Sequence, residues 1–350
     1  MKRQLLGVAA FMLALSAHAQ DNPLWMRYCA ISPDGTSIAF TYKGDIYTVP
    51  VNGGKAAQIT TNAAHDTHPV WSPDGKQIAF ASDRMGSMDI FVVDREGGIP
   101  KRLTTHSGNE TPVAFKDADH ILFLANVMPS AEDAQFPSGQ FQQVYEVSTT
   151  GDRPVMFSSM PMEDISINKT GNALLYHDKK GYEDPWRKHH TSSITRDIWL
   201  CSLDGKRSYR KLTSFNGEDR TPVWASDGKS FYYLSEEKGS FNVFKRALDG
   251  TSSTQLTHHT KHPVRFLTAA DNGTLCYGYD GEIYTMKEGT EPRKVQISIL
   301  TDKNDKDLIR QIRRNGATEI ALSPDAKEVA FILRGDVYVT SVEYLSLIHI

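Results

Sequence analysis

The chain has 350 residues, 23% of them charged and 39% hydrophobic, and a formal net charge of −3. That balance fits an ordinary soluble protein and excludes the basic footprint of a nucleic-acid binder.

The N-terminus stands apart. Lys2-Arg3 precede an apolar run from Leu5 to Leu15, and Ala17-His18-Ala19 offers a small-x-small cleavage site. This predicts a secretory signal peptide over residues 1–19, too short to span a membrane stably. The mature chain is expected to be exported, to the periplasm, with no membrane span after cleavage.

From Met26 onward the chain repeats. His68-Pro-Val-Trp-Ser-Pro-Asp-Gly leads to Ile78-Ala-Phe, then Asp89-Ile-Phe-Val-Val, then Arg102-Leu-Thr. This reads as four short strands, the first two joined by a turn with Pro in second place and Gly in fourth. Related units begin at Ile31-Ser-Pro-Asp-Gly, Thr111-Pro-Val-Ala-Phe, Asp164-Ile-Ser-Ile, Thr221-Pro-Val-Trp, His262-Pro-Val-Arg and Leu322-Ser-Pro-Asp-Ala. Four strands in about 40 residues is the signature of a propeller blade. The predicted fold is all-β: a six-bladed β-propeller over 20–300, with TolB-like blades of four antiparallel strands. A charged linker over 301–318 and the first blade of a second, truncated propeller over 319–344 follow. Leu345-Ser-Leu-Ile-His-Ile350 does not look like a blade strand. It is what the adaptor string CTG TCT CTT ATA CAC ATC encodes, and is expected to be an artefact.

Two insertions interrupt the rhythm. Asn126 to Gln142 reads as a surface loop in blade three. In blade four, the stretch from Lys179 to Ser193 concentrates aromatic and cationic groups, Tyr182, Trp186, Arg187, His189 and His190. It is a candidate docking surface, or else a solvated loop packed on its own blade.

In a propeller the first strand is innermost, so equivalent positions at its start form a ring around one mouth of the channel. Aligned on the start of each first strand, those positions are Arg27, Thr67, Glu110, Glu163, Arg220 and Lys261. Five are ionisable. Arg27, Glu110, Glu163, Arg220 and Lys261 are the channel-rim candidates, either a charged constriction or merely a wet edge.

Catalytic signatures are absent. No two glycines stand four apart, which removes Gly-x-Ser-x-Gly, and no His is followed by Glu, which removes His-Glu-x-x-His. The histidine pairs His65/His68 and His258/His262 sit in turns, and no metal or cofactor is expected. Cys29, Cys201 and Cys276 fall in three blades and match no zinc spacing, so buried free thiols are expected.

With these blades, the stretches Asp66-Thr-His-Pro-Val-Trp-Ser-Pro-Asp-Gly, Lys101-Arg-Leu-Thr-Thr-His-Ser, Trp186-Arg-Lys-His-His-Thr-Ser-Ser-Ile-Thr-Arg-Asp-Ile-Trp and Tyr279-Asp-Gly-Glu-Ile-Tyr resemble the N-terminal part of tricorn-type serine peptidases in their exported bacterial form. The resemblance implies a six-bladed then a seven-bladed propeller ahead of a PDZ domain and a serine-nucleophile core. It also implies that the propellers filter or channel peptides. The expected partners are peptides and the missing C-terminal propeller, PDZ and peptidase domains, with a homo-oligomer possible. No catalytic residue carries over to this stretch, which should be inactive alone. Two other classes fit the blades: a TolB-like envelope interaction module, and the propeller of a prolyl-oligopeptidase-like enzyme.

Overall fold

The computed structural model describes residues 23–126, 141–182, 184, 191–300, 315–342 and 347–349. Residues 1–19, the expected signal peptide, most of the blade-three insertion, and Trp186, Arg187, His189 and His190 lie outside the described residues.

Each repeat forms one antiparallel sheet whose strands follow sequence order. The reasons are local. In the Ser-Pro-Asp-Gly turns, Gly35 and Gly75 N–H donate to the carbonyls of Ser32 (2.8 Å) and Ser72 (2.9 Å). Both glycines sit at left-handed φ, 71° and 68°. The x-Leu-Thr signature has an equally specific use. The hydroxyls of Thr60, Thr104, Thr213 and Thr257 accept from a backbone N–H at the start of the third strand, at Ile46, Ile90, Ile198 and Val243, each at 2.9 Å. The fourth strand is thereby pinned to the third where its ladder would otherwise fray.

The core repeats as well. Phe40, Phe80, Phe123, Tyr176, Tyr233 and Tyr277, one from each second strand, are all fully buried. Most lie against an aromatic of the third strand, as in Phe40–Tyr47, Phe80–Phe91 and Phe123–Tyr145, with centroids 5.7–5.9 Å apart. Such cross-strand pairs are the unit of sheet stabilisation.

The inner strands are Arg27–Ile31, Asp66–Trp71, Glu110–Phe115, Met162–Ile167, Asp219–Trp224 and Arg265–Ala269. Each touches the next, and the last returns to the first, so the six sheets close a ring. Tryptophans at inner-strand ends tie neighbours together. Trp71 Nε1 donates to the Ala30 carbonyl and Trp224 Nε1 to that of Ser166, both at 2.9 Å.

The seam between blades one and six is closed by backbone. Met26 N–H donates to Gly281 O (3.1 Å), and Asp271 N–H to Pro33 O (2.9 Å). Beyond the sixth blade, Ile297–Ile299 runs parallel to the outermost strand of blade one and makes it five-stranded. Gly53 permits this crossing, because a Cβ there would lie 2.5 Å from the Gln296 carbonyl. The sequence offered no sign of this fifth strand.

A seventh sheet of four antiparallel strands follows, from Ala317 to His349. Its hairpin tip meets the ring where Arg334 Nη2 donates to the Ala63 carbonyl at 2.9 Å. Contrary to expectation, Leu347–His349 forms its fourth strand, paired to Tyr338–Thr340. A β-prone apolar segment can satisfy an open strand edge whatever its origin. Among the described residues no helix is long and apolar enough to cross a membrane.

Candidate functional site: the inner-strand ring

The inner strands share a defect. In blades one, two, four, five and six, two consecutive residues oppose a single residue of the second strand. The first residue of each bulge is Tyr28, His68, Asp164, Thr221 or Phe266, at φ between 49° and 57°. None is glycine. A left-handed L-residue costs roughly 1–2 kcal/mol, so five equivalent instances require a surrounding structure that holds them there. Blade three differs: its register slips at Val113, and none of its inner-strand residues has positive φ.

These bulges turn side chains toward one another across the ring axis. The Tyr28 ring lies 3.7 Å from that of His68 and 4.8 Å from that of Phe266. From the facing side, Asp164 accepts the Thr221 hydroxyl at 2.6 Å, and its charge reaches both Tyr28 and His68. Burial, helped by His65 and opposed by Asp164, pushes His68 down to about 4. Burial likewise raises Tyr28. Both rings are therefore neutral at physiological pH, and they form an aromatic cluster on the inner strands with Asp164 nearby.

One residue earlier lies a polar ring, set by register. The residues paired to Thr41, Ala81, Leu124, His177, Leu234 and Gly278 are Arg27, Thr67, Thr111, Glu163, Arg220 and Arg265. Arg27, Glu163 and Arg220 thus hold equivalent places. Glu110 and Lys261 do not. Glu110 is one register step off, buried, hydrogen-bonded by the Thr104 hydroxyl and pushed up to about 7 by burial. Thr-Pro-Val-Ala-Phe has one residue more than His-Pro-Val-Trp, which misplaced it. Lys261 is exposed and precedes the inner strand by four residues. In blade six the His-Pro-Val motif lies ahead of the strand, with Val264 N–H bonded to Phe241 O at 3.0 Å. Gly278 marked the true position, since a Cβ there would lie 2.9 Å from the Phe266 ring.

The corrected ring concentrates positive charge in blades five, six and one, which are consecutive around it. Burial and then Arg220 lower Arg265 to about 10; Arg27 acts in the same direction, and Asp184 opposes them. Arg220 is itself buried, 4.7 Å over the Phe241 ring and 3.6 Å from Glu218. Glu163 carries the negative charge in the neighbouring blade four. Burial would raise its carboxyl, but the hydrogen bond and charge of His177, with Arg196 and Lys179, hold it well below the usual range. Its partners lie at 3.2 Å (His177), 3.4 Å (Arg196) and 2.8 Å (Lys179).

Lys179 and Arg196 flank the blade-four insertion, so Glu163 ties its foot to the ring. Lys180 binds Asp197 and the Thr195 carbonyl from the same foot. Tyr182, the described member of the docking set, is 87% exposed. Among the described residues no group of three or more His, Cys, Asp or Glu could hold a metal ion.

The family model for the tricorn protease N-terminal beta propeller domain matches residues 23–292. Tricorn protease homolog 1 of Streptomyces coelicolor is 25% identical over 279 residues, 79% of this chain and 25% of that protein. The tricorn protease of Thermoplasma acidophilum is also 25% identical, over 332 residues, 91% of this chain and 29% of that protein. The crystal structure of the tricorn protease superposes with a TM-score of 0.67 at 21% identity, covering 93% of this chain and 31% of that one. The chain thus spans about a quarter to a third of these relatives. It belongs to the tricorn protease N-terminal β-propeller family.

Proposed function

We propose that this chain is the non-catalytic propeller region of a larger, exported tricorn-like serine peptidase, and that it gates or channels peptides toward a nucleophile-bearing domain elsewhere in the full-length protein. The aromatic cluster and the cations at one register position of the inner strands carry this reading. A peptide threading the ring would meet the Tyr28, His68 and Phe266 rings beside Arg27 and Arg265, and this excess of positive charge favours acidic over basic segments. The blade-four insertion, footed on Glu163, would serve as a contact surface for the missing domains or for a second copy.

The test is a selectivity ratio in the full-length enzyme. Arg27→Gln with Arg265→Gln spares the buried Arg220 and should lower kcat/KM for acidic relative to basic peptides. Each lost contact is worth about 1 kcal/mol or less, and the effect should shrink as salt rises. A ratio unchanged at low ionic strength, in a folded double variant, would remove the gating role.

A further inference from the structure

Ring closure brings together two cysteines that lie 247 residues apart in sequence. Cys29 lies in the inner strand of blade one and Cys276 in the second strand of blade six; both are buried in one apolar cluster at the seam. Two contacts orient them toward each other. The Cys29 thiol reaches across the seam to the Phe266 carbonyl at 3.5 Å. Cys276 is directly cross-strand from Thr268. The Thr268 hydroxyl in turn reaches back across the seam to accept from Ile31 N–H at 3.1 Å. Cys276 and Thr268 share a sheet face, so that face looks onto blade one. The neighbouring Cys29 thiol raises the proton affinity of Cys276. Cys201 lies in blade four, in a different apolar cluster.

We propose that Cys29 and Cys276 are a disulfide-forming pair that locks blade six to blade one and closes the ring covalently. The oxidant is another disulfide, a protein's or a small molecule's. One protein thiolate attacks it, forming a mixed disulfide and releasing the first oxidant thiol. The second protein thiolate then displaces the second oxidant thiol. Two protein thiols lose two electrons, the oxidant disulfide becomes two thiols, and the protons pass to them. Burial raises the Cys276 thiol well above its ordinary value, and the nearby Cys29 raises it further. Exchange is therefore slow in the closed ring and fast while the seam is open, as during folding. Seam closure needs no gating role, and the two ideas fail separately.

The test uses the full chain, reduced, unfolded and refolded in a mixture of reduced and oxidised glutathione. The soluble fraction with native-like circular dichroism is trapped with N-ethylmaleimide in denaturant and digested. A linked peptide pair holding Cys29 and Cys276 is expected, with Cys201 alkylated. Adding reductant to the oxidised protein should lower Tm by on the order of 10 °C, because the bond closes a very long loop. Cys276→Ala should abolish both the link and the response to reductant, while Cys201→Ala should keep both. Full alkylation of all three cysteines in the folded fraction, or a Tm indifferent to reductant, would overturn the proposal.

Discussion

Blade one and the seventh sheet are near copies in sequence and very different in burial. Both run from a Ser-Pro-Asp turn into an aliphatic-Ala-Phe strand and through a two-residue hairpin, Lys43-Gly44 or Arg334-Gly335, with both residues at positive φ. Both stack the same aromatic pair, Phe40–Tyr47 at 5.8 Å and Phe331–Tyr338 at 5.5 Å. Ala326 even adopts φ 56° where blade one has Gly35. Yet Ile38, Ala39 and Phe40 are wholly buried, whereas Val329, Ala330 and Phe331 are only half-buried. Ile320 and Leu322, on the would-be inner strand, are 71% and 64% exposed. Local sequence writes the blade, and neighbouring blades bury it. A single sheet cannot cover both its faces, which is why such units come in arrays.

The largest effect should come from truncating the repeated aromatic. Phe80→Ala inside the ring is expected to cost about 3–5 kcal/mol in denaturant unfolding. Phe331→Ala, the same change at the same blade position, should cost well under half of that. Equal costs would break the contrast.

Next is pH. Burial pushes Asp45, Glu110 and Asp219, all near blade junctions, up to about 7. The folded ring then binds protons between about pH 4 and 7 that the unfolded chain has released, so stability must fall as pH rises through that window. Glu163 acts oppositely: its depressed carboxyl contributes stability that is lost as pH falls below about 4.5. These groups together put the maximum near pH 4, with stability declining from there by several kcal/mol to about pH 7. Glu110→Gln should flatten that decline. Stability rising from pH 5 to 8 would contradict the assignment.

A smaller effect belongs to the blade-to-blade tie. Trp71→Phe keeps the ring but leaves the buried Ala30 carbonyl without the indole donor, for a loss of about 1 kcal/mol. Trp224→Phe, with the same bond to Ser166, should match it. A change in neither Tm would show that apolar contact alone holds neighbouring blades.

Much of the fold was legible because each blade carries its own instructions. Ser-Pro-Asp-Gly specifies a turn, Leu-Thr pins an edge, and alternating apolar residues fix which face is inside. Of the rim candidates, Arg27, Glu163 and Arg220 share one register position because their blades keep the His-Pro-Val-Trp spacing or something close to it. Glu110 and Lys261 were misplaced where that spacing changes, and Arg265 was missed for the same reason. The left-handed bulges left no sequence trace, because Tyr, His, Asp, Thr and Phe share no turn chemistry. The Cys29–Cys276 neighbourhood was invisible for a different reason. It exists only once the ring closes, a fact of topology and not of any local stretch.

The central claim is that the ring, not the blade, is the unit that buries the core and shapes the axis. Native-state hydrogen exchange tests it most directly. Amides of the second strands, such as Phe40, Phe80, Phe123 and Tyr233, should exchange together, with protection near the global unfolding limit. Those of Val329–Ile332 should exchange at least a hundredfold faster, though they sit in the same kind of ladder. Equal protection in the seventh sheet, or blades of the ring exchanging independently of one another, would contradict it.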